Sequence, residues 1–287
     1  MPSKIVVDKS NLIGTDNNTF IYNFPSSVAF PNHEIALSSV DMYYAWFNIS
    51  AALRNNTFSY EFPDAAGTGV DTFTVILEDG LYEIATINER LQYEFIQNGH
   101  YLIDSNAQYR YYINLSLNIT RYSVQIDVFS LPASLPSGWT KPVGSTWSFP
   151  SVTAANPAIL IAAEFNLIIG YAAGFDSGPA PLGGSPLSFL STLSPNIQTN
   201  NILYVSVSNI DNKYGSPSGI VHTVTPNVGF GEQIRETPEF SFNKLHNGVY
   251  NSLTIQFLGT NKQPIRIEDP NTTITFIIKD KTQTIYA

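Results

Sequence analysis

The sequence predicts an all-β protein, a single jelly-roll β-sandwich carrying one short helix and a β-rich insertion. Three observations lead there. Segments in which apolar and polar residues alternate recur along the chain between turn residues, and one segment alone has convincing helical spacing. The 287 residues include 18 Gly and 18 Pro beside 16 Tyr and 18 Phe, so turn formers and strand-favouring aromatics are both abundant. Strands in such number with a single helix fit a two-sheet sandwich, because a βαβ fold needs a helix after nearly every strand.

Thr19–Phe24 alternates and stops at Pro25, which cannot extend a hydrogen-bonded ladder. Glu34–Phe47 is a longer strand with Ile35 and Leu37 on one face and Val40 and Met42 on the other, so both faces are expected to be covered. Asn56–Phe62 and Asp71–Leu77 make a hairpin across the turn-rich segment Pro63–Gly69. A helix is expected from Thr86, capped with Glu89, to just before Gly99, with Ile87, Leu91, Phe95 and Ile96 as its apolar stripe. Tyr109–Asn118 and Arg121–Ser130 form a second hairpin. Ile202–Ser208, Ile220–Val224, Ser252–Leu258 and Thr273–Ile278 complete the strands.

Residues 1–15, with Lys4 and Lys9 among polar neighbours, are expected as an N-terminal arm, and 16–287 as the jelly-roll domain. Within it, residues 131–198 stand apart as rich in Pro, Gly, Ser and Thr. Across 131–231 the charges are Lys141, Glu164, Asp176, Asp211 and Lys213 alone. Its aromatics argue against disorder, so ordered loops packed on a neighbour are expected.

Charged residues make up 13% of the chain, about half the roughly 25% of an ordinary soluble domain. Their sum is −9, which repels nucleic-acid phosphates and anionic lipid, so no direct nucleic-acid partner is expected. Cysteine is absent, which removes disulfides, thiolate metal sites and a cysteine nucleophile. Neither a secretion signal nor a membrane span is expected. His33, His100, His222 and His246 are scattered and read as surface or loop residues. Calcium would have to use Asp16, Glu78 with Asp79, Asp211, or Glu268 with Asp269, and none of these clusters as a calcium loop does. The segment Gly178–Gly184 lacks the Lys-Ser/Thr of a phosphate loop and reads as a flexible turn. No serine elbow or paired-acid motif is readable. Catalytic, cofactor and metal residues are therefore all expected to be none.

In the second half, Phe165–Gly174, then Ser194-Pro-Asn-Ile197 leading into Asn201–Val207, then Pro238 with Phe242, then Ser252–Leu258 with Pro264-Ile265 and Thr273–Ile278 follow one another in an order and spacing that resembles the minor capsid, or penton, proteins of virophages and Polinton-like viruses. The resemblance spans most of residues 16–285. It implies a jelly roll at the five-fold vertex of an icosahedral virion, with five copies closing a homopentameric ring and contacting the surrounding trimers of the major capsid protein. It also implies, for some members, a second outward β region above the jelly roll, with 131–198 as its place here. A ring buries two different patches of each subunit, for which low charge and exposed aromatics are suited. Trp139, Trp147, Phe149, Tyr171 and Phe175 are the candidate contact anchors, although each taken alone reads as core ahead of interface. The competing class is a β-sandwich carbohydrate-binding module, lectin-like, in which aromatics stack on sugars.

Overall fold

The structure is a computed structural model that describes residues 2–162, 164–198, 200–212 and 215–281. Lys213, counted among the sparse charges, and the resemblance beyond 281 lie outside the described residues. The chain divides into two compact units, Met1–Phe47 with Asn200–Ala287, and Asn48–Thr199. In chain order the strands are β1 (Ser3–Val7), β2 (Leu12–Ile13), β3 (Thr19–Ala29) and β4 (His33–Tyr43). The second unit then supplies β5 (Thr57–Pro63), β6 (Val70–Ile76), α1 (Ile84–Asn98), β7 (Leu102–Ile103), β8 (Tyr109–Arg110), β9 (Ile113–Asn118), β10 (Ser123–Val128), β11 (Ala158–Leu160), α2 (Asn166–Ile169) and β12 (Leu187–Leu190). The chain returns to the first unit with β13 (Leu203–Val207), β14 (Ile220–Val224), β15 (Gln233–Glu236), β16 (Asn243–Lys244), β17 (Val249–Leu258) and β18 (Thr273–Asp280).

The first unit is a jelly roll by its strand order. One sheet runs β1-β18-β4-β15, with β16 also paired to β4, and the other runs β14-β13-β17-β3-β2. Setting aside the two-residue strands β2 and β16, the eight that remain appear in the first sheet as first, eighth, third and sixth in the chain. In the second they appear as fifth, fourth, seventh and second. All these pairings are antiparallel. This interleaving is two Greek keys wound together, which defines a jelly roll.

Side-chain rows explain the register. Ile5, Phe276 and Leu37 stand opposite one another across β1, β18 and β4, and Val7, Ile274 and Val40 form the next row. All six are buried, as are Phe20, Val205, Ile255 and Phe257 of the second sheet. Phe20 and Phe257 meet edge to face at 6.2 Å. The mixed faces of β4 have a local cause. Leu37 is paired with Phe276 and Ser39 with Thr275, so Ser38 is an extra residue at a bulge. Alternation changes sides there, and Ile35 and Leu37 before it share the buried rows with Val40 and Met42 after it.

Several sequence expectations need correction. Ser3–Val7 is the edge strand of a sheet, paired residue by residue with β18, in place of the free arm expected over 1–15. β3 continues past Pro25 to Ala29, because the register shift opposite Tyr250–Ser252 leaves the proline out of the ladder. The units divide at 47/48 and 199/200, whereas the sequence changes character only at 131. The helix begins at Ile84 with Glu83 as its N-cap, and the Thr86 hydroxyl accepts the Glu83 N–H at 2.9 Å, so Thr86 is the third helical residue and not the cap. Ile84 replaces Ile96 on the buried stripe, and Ile96 is exposed. Gly99 ends the helix in the left-handed region at φ 67°, which an L side chain resists. A second helical turn, α2, was not expected.

The second unit holds three-stranded sheets β12-β10-β9 and β11-β5-β6 and the pair β7-β8. Ile87, Leu91 and Phe95 of α1 pack in one core with Phe58, Tyr60 and Phe62 of β5 and Val124, Ile126 and Val128 of β10. Two asparagines in glycosylation-type triplets, Asn48 and Asn55, are buried, and Asn48 is bonded to the backbone of Tyr82 in both directions. Substituting Phe257→Ala in the jelly-roll core is expected to lower unfolding stability by about 3–5 kcal/mol. Substituting Val249→Thr, at a side chain that is 67% exposed, is expected to change it by less than about 0.5 kcal/mol. Urea unfolding of both variants checks the contrast.

Candidate functional site

The residues expected as contact anchors are all in the second unit, and they divide by burial. Trp147 and Tyr171 are core residues. Trp147 is 2% exposed, and its indole N–H donates to the Gly99 carbonyl at 2.6 Å. Its ring meets Phe62 and Phe149, each at 5.2 Å and edge to face. Tyr171 is 3% exposed and its hydroxyl reaches the carbonyls of Val124 and Phe189 at 3.0 and 2.8 Å. Neither has surface left to offer a partner, which corrects the expectation of contact anchors at these two positions. The loops that carry them need a hydrogen-bonded aromatic to fix their paths. Gly170 enforces the same point beside Tyr171, since its φ is 75° and a Cβ there would run into the Leu193 carbonyl.

Trp139, Phe149 and Phe175 are half-buried against the same core. Phe175 packs on Tyr171 at 4.4 Å and Phe189 at 5.4 Å, and it also lines an open pocket of about 300 Å³ with Phe58, Leu160 and Ile161. Trp139 lines an open groove of about 470 Å³ with Arg110, Tyr111, Tyr112, Phe129 and Ser130. A second cleft of about 590 Å³ lies at the C-terminal end of α1, between Ile96–Gly99 and the loop 140–145.

Sequence reasoning missed the polar groups built into this unit. His100, expected at the surface, is 3% exposed. It stacks on Phe62 at 4.3 Å and meets Phe73 and Tyr60 edge on. Its Nδ1 lies 2.9 Å from the Tyr60 hydroxyl, which accepts an N–H from Asn98 at 3.2 Å. Which of Nδ1 and the Tyr60 hydroxyl donates in that bond follows the tautomer of the imidazole. Burial drives its pKa down to about 4, helped by the positive charge of Lys141. Lys141, itself lowered by desolvation, sits 4.1 Å over the Trp147 ring and donates to the Trp147 carbonyl. The lone spacing of His100 in the sequence carries no trace of this, because its partners come from β5, β6 and the loop at 141.

Asp104 is a buried carboxylate, and here a signal was available in Asp104-Ser-Asn-Ala-Gln108, a turn-forming run. Its carboxylate accepts the N–H groups of Asn106 and Gln108 at 2.8 and 2.9 Å, and both Nε and Nη2 of Arg110 at 2.8 and 2.5 Å. The Gln108 bond, then Arg110, hold its carboxyl below the usual range. Arg110 is thereby fixed at the rim of the Trp139 groove.

Elsewhere, Asp211 pairs with Lys244, Glu268 with Arg266, Asp79 accepts the Ala51 N–H and Asp269 the Asn271 N–H, so these four of the acids considered for calcium have protein partners. Among the described residues no group of three or more His, Asp or Glu is placed to hold a metal ion. Among them no helix is long and apolar enough to cross a membrane.

No family model matches the chain, and no curated protein does. Among solved structures it is similar to the crystal structure of the mavirus penton protein, with 8% sequence identity and a TM-score of 0.43 over 97% of each chain.

His100 sets a pH dependence whose sign follows from its depressed folded value. An unfolded histidine binds its proton near pH 6.5 and the folded one near 4, so between these the unfolded state holds more protons and stability falls as pH falls. The loss amounts to about 3 kcal/mol once pH reaches 4. Urea midpoints from pH 7.5 to 4 are expected to fall more steeply in the natural protein than in His100→Phe. Parallel curves would remove His100 as the cause.

Proposed function

We propose that this protein is a structural capsid component, a penton that forms the five-fold vertex of an icosahedral virion as a homopentamer and contacts trimers of the major capsid protein. The observation that carries the reading is the strand order of the first unit, a complete jelly roll, the architecture that viral capsid domains share with lectins and cupins. Fold alone does not select among those classes. Two further features favour the capsid. The ordered penton-like segments of the sequence fall on the jelly-roll strands β13, β17 and β18 as well as on α2. Only 13% of residues are charged, which suits a chain whose flanks are covered by copies of itself.

On this reading the chain performs no bond chemistry, and its function is curvature and closure. The second unit, Asn48–Thr199, is the added β region that the resemblance implies. Contact between subunits then falls to exposed apolar side chains and not to Trp147 or Tyr171. Leu117, Ile119 and Tyr122 at the tip of the β9–β10 hairpin are 43%, 83% and 65% exposed and are the first such group to examine.

Light scattering over a range of protein and salt concentrations, followed by negative-stain class averages, tests the proposal. The expected result is a mass of five subunits with five-fold averages. Each copy carries −9, so ring formation is expected to strengthen as salt rises to physiological strength. A chain that remains monomeric throughout would overturn self-assembly, and saturable glycan binding by that monomer would favour the carbohydrate-binding class.

A further inference from the structure

A short loop beside the end of α1 is hydrogen-bonded to its surroundings by two side chains. Lys141–Thr146 runs between two fixed points: Thr140, which exchanges two backbone bonds of 2.9 Å with Ile103, and Trp147, which is buried and bonded to the Gly99 carbonyl. No residue of this loop is buried, Val143 is fully exposed, and Gly144 adopts a φ of 84° with nothing within 4 Å of where a Cβ would stand. The two ties are the Lys141 ammonium, over the Trp147 ring and on the Trp147 carbonyl, and the Ser145 hydroxyl, 3.2 Å from the Gly99 carbonyl. Among the described residues the loop's other hydrogen bonds are internal, from the Ser145 N–H and hydroxyl to the Pro142 carbonyl. The cleft of about 590 Å³ beside it leaves room to move.

Both ties end next to His100. Gly99 precedes it in the chain, and Trp147 shares with it the ring of Phe62, at 5.2 and 4.3 Å respectively. His100 is the fixed side of this contact, because its backbone N–H is on the Phe95 carbonyl at 2.8 Å and its ring lies among Phe62, Phe73 and Tyr60. The titratable groups around it come from three elements. β5 supplies Tyr60, α1 supplies Glu94, which is paired with Arg90 at 2.8 Å and acts on Tyr60, and the loop supplies Lys141. From β6 the ring of Phe73 faces it. Of the charges among these, that of Lys141 is the one that bears on the imidazole, after burial itself.

A proton on His100 therefore sets two cations against each other at one helix end. The negative end of the α1 dipole favours a positive charge, but a buried imidazolium beside an ammonium is resisted until one of them leaves. Lys141 is on the side that can move. We propose that Lys141–Thr146 is an acid-released flap, which swings away from the end of α1 when His100 takes up a proton and so opens the cleft that it borders. Lys141 then exchanges the Trp147 ring and carbonyl for water, Ser145 leaves Gly99, and water reaches the imidazolium, while Trp147 stays in the core as a hinge. Local opening of a weakly tied segment costs less than unfolding the unit that carries it. The flap lies wholly within the second unit and does not rest on the capsid reading.

The full chain has no cysteine, so nitroxides can be placed singly at Val143→Cys on the flap and at Ala85→Cys, an exposed position in the first turn of α1. Pulsed electron paramagnetic resonance then reads their separation from pH 7.5 to 4. A second, longer separation is expected to grow reversibly as pH falls, with far-ultraviolet circular dichroism unchanged. Its weight relative to the closed form is expected to rise about 100-fold by pH 4, since with the flap open the imidazole regains an ordinary affinity for its proton. His100→Phe and His100→Gln, neither of which takes up a proton in this range, are expected to keep the single short separation, and either one suffices should the other fold poorly. A separation that stays unchanged to pH 4 with His100 in place overturns the proposal. Opening that persists in the His100 variants, or that appears only together with loss of circular dichroism, overturns it as well.

Discussion

The pairing of the chain's two ends is the constraint on which the first unit depends. β3 and β4 find their partners in β17 and β18, and a single buried bond, from the Asn18 amide to the Ile265 carbonyl, spans 247 positions. Closing so long a loop costs entropy that no local turn recovers, so the rows of Ile5, Phe276 and Leu37 and of Val7, Ile274 and Val40 must compensate by burial. The same logic explains why residues 48–199 carry a core of their own. A compact insertion holds its ends within reach, whereas an unfolded one of that length would oppose every β4–β18 contact.

That constraint decides how much of the architecture the sequence reveals. Ile220–Val224 and the β5–β6 hairpin are legible because alternation and turn chemistry are local. Ser3–Val7 is not, because five residues with a lysine among them become a strand only when β18 supplies the ladder. Gln233–Glu236 is hidden for a related reason, with Ile234 its one buried side chain. The bulge at Ser38 makes β4 look double-faced when two half-strands in fact feed the same rows. Pro25 reads as a stop and is accommodated by a register shift contributed from 250–252, far along the chain.

The aromatic residues show the same limit at the level of the site. Composition identifies 131–198 as ordered and aromatic-rich, but it cannot tell which rings are satisfied inside. Trp147 and Trp139 are eight positions apart in similar polar company, yet one indole is bonded to Gly99 and the other has no partner among the described residues. The difference lies in what β8, the Asp104 turn and the end of α1 bring to each ring, which is tertiary information. His100 makes the same point with a titratable group, since nothing near it in sequence predicts Phe62 on its face or Tyr60 at its nitrogen.

The central physical claim is that long-range ladders close one unit while a separate core closes the other. Native-state hydrogen exchange, followed by mass spectrometry in rising urea, tests it most directly. The account predicts two sets of protected amides, with β3, β4, β17 and β18 opening together at one free energy and β5, β10 and α1 at another. A single common opening free energy for all of these strands, or β4 and β18 exchanging independently of each other, would contradict it.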